Sequence, residues 1–124
     1  MSNFINLSKI TTMKEFALVF RRPPSDPAKV SPKDMQEIAK KWDTWHEELI
    51  EQGKLGSAVR LGTEGKVLKG GGVITDGPFV ELREILGGVF ILKADSLEEA
   101  TTLAHGCPIL GMGGSVEIRP LYVG

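Results

Sequence analysis

Residues 31–53 read SPKDMQEIAKKWDTWHEELIEQG, and this stretch decides the fold because it holds one long helix between strand-like segments. Ser31 can accept from a free N–H at the helix start, and Pro32 stands where a missing N–H costs nothing. Asp34 complements the positive end of the helix dipole. Met35, Ile38, Ala39, Trp42, Trp45 and Leu49 then recur at three- and four-residue steps, which makes one apolar stripe. Gly53 supplies the residue that a left-handed cap requires.

Before the helix, Phe16, Leu18 and Phe20 alternate with Ala17 and Val19. Both sets are apolar, as in a strand covered on both faces. Three prolines in Arg21–Pro27 break that run into a loop. After the helix, Leu55–Leu61 and Val67–Thr75 read as two strands of a hairpin about Gly62-Thr63-Glu64-Gly65. Asp76-Gly77-Pro78-Phe79 is turn chemistry. Val89–Ala94 reads as another strand, introduced by Gly87-Gly88. Ser96-Leu97-Glu98-Glu99 has capping-box spacing and opens a second helix that ends at Gly106 and Pro108. Val116, Ile118 and Tyr122 mark a final strand. The order β-α-β-β-loop-β-α-β is close to the split βαβ, ferredoxin-like α+β pattern. Two helices cover one face of such a sheet, so the other face is expected to pair with a second copy as a homodimer.

The 124 residues predict one domain, residues 14–124, with residues 1–13 as an N-terminal arm. Lys plus Arg number 15 and Asp plus Glu 16, which leaves no basic footprint for nucleic acid. A single cysteine gives no internal disulfide, and no secretory leader or membrane-length apolar run is visible, so a cytoplasmic location is expected, with no membrane partner.

Val73-Ile74-Thr75-Asp76-Gly77-Pro78-Phe79-Val80-Glu81 resembles the signature of the YCII-related (DGPF) family. Leu86-Gly87-Gly88-Val89-Phe90, Asp95–Ala100, His105-Gly106-Cys107-Pro108 and Gly114–Pro120 resemble further blocks of that family, in the same order. The resemblance implies a dimeric α+β barrel with a cleft between sheet and partner. Some relatives are proposed to be enzymes because a histidine on the first helix meets an aspartate; the matching position here holds Trp42, so such a dyad is not implied for this chain.

Asp76 is the first candidate for catalysis, as a carboxylate leaving a strand beside Ile74, Pro78 and Phe79, where desolvation would make it a stronger base. Asp before Gly is equally a plain turn former. His46, on the flank of the stripe, is a second candidate, since histidine suits proton transfer near neutral pH. A helix histidine packed against Trp45 is the simpler reading. Phe79, Trp42 and Trp45 are candidate walls of a ligand cavity, although the tryptophans also have core spacing. Arg60 could clamp an anion, and Glu81, three residues from Glu84, could share acid and base roles or form a solvated rim. His105 and Cys107 are too few for a metal site, and Gly70-Gly71-Gly72 has no following helix to complete a phosphate loop and reads as a bulge. No cofactor is implied. Two functions follow: a small-molecule pocket, in catalytic form a cofactor-free acid–base enzyme of isomerase or lyase type, or a non-catalytic dimeric module that regulates or scaffolds through protein contacts.

Overall fold

The alternation of Phe16, Leu18 and Phe20 sets the first strand, β1 (Lys14–Arg22), and all three side chains are buried on one face of the sheet it joins. The structure, a computed structural model, describes residues 13–23, 30–62, 64–76 and 85–122. The expected arm at 1–13 lies outside these residues but for Met13.

Helix α1 (Pro32–Glu51) starts as its sequence dictates, with the Ser31 hydroxyl accepting from the Asp34 N–H at 3.1 Å. It ends in a Schellman cap: Gly53 takes φ +69°, its N–H donates to Ile50 O and the Lys54 N–H to Leu49 O, both at 2.9 Å. The apolar stripe is only half used. Trp45 and Leu49 are buried and Trp42 partly so, while Met35 is 54% exposed. The first turns therefore overhang the sheet.

Strand β2 (Leu55–Arg60) does not pair with the segment that follows it in sequence. It pairs antiparallel with β5 (Ile85–Ala94), and the four-stranded order is β2-β5-β1-β6, where β6 is Ser115–Pro120. With β3 and β4 set aside, this is the βαββαβ order of a ferredoxin-like fold. The expected hairpin of Leu55–Leu61 with Val67–Thr75 is thus corrected. Residues 66–76 instead fold on themselves as β3 (Lys66–Lys69) and β4 (Val73–Asp76), a two-stranded insertion. Gly70-Gly71-Gly72 is its turn, not a bulge, because Gly71 and Gly72 adopt φ +88° and +82°, which a hairpin reversal needs and glycine tolerates.

Gly87 and Gly88 lie inside β5 rather than ahead of it. A Cβ on Gly88 would come within 2.7 Å of Val59 O, so a bare Cα lets β2 approach. Helix α2 (Leu97–Ala104) is capped by Ser96, whose hydroxyl accepts from the Glu99 N–H at 3.1 Å. The Glu99 carboxylate reaches back to the Asp95 N–H and also pairs with Lys54 Nζ at 2.8 Å, tying α2 to the start of β2. That bond, helped by Asp95 and opposed by partial burial, holds the Glu99 carboxyl below its ordinary range. A 3₁₀ turn at Pro108–Met112 then closes the core with Ile109.

The core lies between the sheet and the helices, with Leu18, Phe20, Trp45, Leu49, Phe90 and Leu92 at its centre. The opposite face of the sheet carries Val19, Val89, Ile91 and Val59, the last 52% exposed, and none of the described helices covers it. Along one margin of that face Arg21 pairs with Glu117 at 2.7 Å, and Arg119 stands 3.7 Å from the same carboxylate.

Candidate functional site

Large side chains meet wherever α1 crosses the middle of the sheet, but at the β2 edge the sheet offers small ones. Ala58 stands opposite Phe90 and Arg60 opposite Gly88, on the helix-covered side. Trp42 and His46, one turn apart on α1, therefore face Ala58 and a glycine with no bulk to fill the gap. The result is a pocket of about 250 Å³ lined by Trp42, Asp43, His46, Ala58, Arg60 and Phe90. A narrower compartment of about 120 Å³ continues from it, sharing Trp42, Arg60 and Phe90 and adding Phe20, Arg22 and the Gly87-Gly88 backbone.

The walls are a connected set of rings. Phe20 meets Phe90 edge-on at 4.9 Å and Trp42 at 5.5 Å, and the His46 ring stands edge-on to Phe90 at 6.1 Å. Trp45 stacks on Phe90 at 5.5 Å and 15°, and its Nε1–H donates to Leu103 O at 3.1 Å. It is 4% exposed, so it supports the pocket from the core side. The Arg60 guanidinium lies 6.0 Å from the Trp42 ring centre, a cation–π arrangement, and has no carboxylate partner among the described residues.

A larger hollow of about 490 Å³ lies between α1 and the turn after α2, lined by Lys40, Lys41, Thr44, Trp45, Glu48 and Gly106. It is an open trough with one edge of Trp45 at its floor and long charged side chains around it, and it lacks the enclosure that holds a small ligand. The narrower pocket is the better candidate in spite of its volume.

Of the residues singled out from sequence, Trp42, His46 and Arg60 come together here, and Trp45 braces the set. Asp76 is placed by the β4 backbone, as its last residue, opposite Lys66. Phe79, Glu81 and Glu84 lie outside the described residues. Asp43, Ala58 and Phe90 were not anticipated. Asp43 and His46 are three residues apart on one helix, a spacing visible in the sequence, whereas Ala58 gains its meaning only from its partner across the strands.

Cys107 is buried, and burial pushes its thiol up to about 11 against a smaller opposing effect of the Ile109 backbone. It is packed as a hydrophobe, not poised as a nucleophile. Among the described residues no three His, Cys, Asp or Glu side chains are grouped to hold a metal ion. No described helix is long and apolar enough to cross a membrane.

Residues 19–123 match the YCII-related domain family. An uncharacterized protein of Rhizobium meliloti (strain 1021) is 37% identical over 78 residues, which cover 58% of this chain and 63% of that relative. The match therefore spans less than two thirds of the relative's length.

Proposed function

The chain belongs to the YCII-related domain family, and from that premise and the geometry above we propose that it binds a small organic molecule in the pocket between α1 and β2. The carrying observation is that the aromatic cluster opens at the β2 edge into an enclosed pocket beside Arg60 and His46. Drug-sized ligands occupy roughly 300–1,000 Å³, so this pocket suits something smaller, about one ring. The catalytic form of the proposal is a cofactor-free proton transfer on the bound molecule. His46 and Asp43 on the wall would hold or move the proton, and Asp76 is the further carboxylate to test by Asp76→Asn.

The two tryptophans make a direct test, because their indole N–H signals in a nitrogen–proton correlation spectrum separate the pocket from the core. Screening single-ring compounds is expected to move the Trp42 signal and leave that of Trp45, which is tied to Leu103, nearly still. Compounds that move only signals outside the pocket, or none at millimolar concentration, would remove the proposal.

The bare sheet face favours a second reading that is compatible with the first: two copies pair through Val19, Val59, Val89 and Ile91, and the dimer also serves as a contact module. Sedimentation at tens of micromolar should show a dimer, and Val59→Lys combined with Ile91→Lys should yield a folded monomer. A wild-type monomer under those conditions refutes it.

A further inference from the structure

Arg60 differs from the other well-placed cations of the described chain. Arg21 is held by Glu117 at 2.7 Å and Lys54 by Glu99 at 2.8 Å, whereas Arg60 rests on the face of an indole. A guanidinium over a ring gives that ring no hydrogen bonds, and its planar N–H fork matches a carboxylate with two parallel hydrogen bonds. Trp42 Nε1–H likewise has no protein acceptor among the described residues.

Given the pocket proposed above, we infer that its ligand is a planar monoanion, a small aromatic or conjugated carboxylate, with its ring against Trp42 and Phe90 and its carboxylate on the Arg60 fork. Each part of the ligand answers to a part of the wall. The ring lies against the pocket wall that Trp42 and Phe90 form together, their own rings touching edge-on at 6.2 Å, where flat apolar groups gain both contact and ring–ring attraction. The carboxylate belongs at the shared boundary, where Arg60 lines both compartments beside the Gly87-Gly88 backbone. Asp43, on the wall of the outer pocket, repels a second negative charge and so favours one charge over two. It also orients the anion, head toward Arg60 and ring outward. A neutral ring would gain the stacking alone; a cationic one would meet Arg60 unfavourably.

Matched pairs of probes decide the point. Benzoate with benzamide, and 2-furoate with furan-2-carboxamide, share shape and differ in charge. Titrated into the full chain and followed through the Trp42 indole signal, each acid is expected to bind about tenfold or more tightly than its amide, the size of one charge-assisted pair. Arg60→Gln should bring acid and amide to within about twofold by weakening the acid only, and its melting temperature should match wild type, since Arg60 is exposed on an edge strand. Wild-type acid affinity should also fall as salt rises. If amides move Trp42 as well as acids do, the anion assignment is overturned while the pocket stands. Preference for the acid that survives Arg60→Gln overturns the role of that residue. If no probe of either charge moves Trp42, pocket and anion fail together.

Discussion

Replacing Trp45 by Phe separates the supporting tryptophan from the lining one. The indole is 4% exposed, so essentially all of the three heavy atoms lost come from the core. Those atoms account for about 40 Å² of apolar surface, or roughly 1 kcal/mol at about 25 cal/mol per Å². A phenyl ring also leaves a void of about 40 Å³, which at about 24 cal/mol per Å³ adds up to roughly 1 kcal/mol where the neighbours do not collapse. The Nε1–H bond to Leu103 O disappears, and that carbonyl keeps only the longer bond from the Gly106 N–H at 3.3 Å, a loss of about 0.5–1.5 kcal/mol. Together, Trp45→Phe should cost about 2–3 kcal/mol. Trp42→Phe should cost less than about 1 kcal/mol, because Trp42 is only partly buried and makes no such bond. Urea unfolding followed by far-ultraviolet circular dichroism measures both without relying on tryptophan emission. Equal losses, or a larger loss at Trp42, would show that the indole–Leu103 contact does not hold α1 to α2 and that the division of labour between the two rings is wrong.

Gly114→Ala should lower stability by about 1–3 kcal/mol in the same assay, since its Cβ would sit 2.5 Å from both Arg21 O and Ile109 Cγ1, whereas Gly111→Ala, with open space around it, should stay within about 0.5 kcal/mol of wild type. The Cys107 thiol, at about 11, should resist iodoacetamide at pH 8 in native buffer and react only as the chain unfolds; prompt native labelling would contradict its burial. Glu99 is held below its ordinary value, so its ion pair stabilises the fold above about pH 4.5, and that contribution disappears as the pH falls through the lowered value. Glu99→Gln should therefore be less stable than wild type by about 0.2–1 kcal/mol at pH 7, with the gap narrowing as the pH falls below 4.5; a constant gap down to the acid limit of folding would rule out the linkage.

Local chemistry was legible where a residue acts on its own neighbourhood. The Ser31 cap, the Gly53 reversal and the Ser96 cap all function as their sequence context dictates, because each is satisfied within a few residues. The partner of β2 was not legible. Gly62-Thr63-Glu64-Gly65 has the composition of a hairpin turn, and nothing in Leu55–Arg60 distinguishes a neighbour ten residues away from one thirty away. What decides it is the remainder of the chain. β5 offers a ten-residue strand with a fully buried helix-side row, Phe90, Leu92 and Ala94, while β3 and β4 are four residues each and satisfy one another across a triglycine turn. Pairing goes to the strand that buries more.

The candidate site follows the same division. Trp42, His46 and Arg60 stood out by type, but nothing along the chain says that Ala58 lies under the helix turn that carries two of them. The pocket is a consequence of what is missing there. On the central strands Phe16, Leu18, Phe20, Phe90, Leu92 and Ala94 pack into clusters with residues of α1 or α2, whereas the β2 edge carries Ala58 and faces Gly88. Filling that space with a leucine-sized side chain would add buried apolar surface to an edge strand that has little, so the small residues hold the sheet less firmly than they could. A gap walled by Trp42 and Phe90 with Arg60 beside it gives nothing back to the fold, whereas the proposed ligand would gain from both. On the binding proposal, the stability given up at this edge is what the site requires.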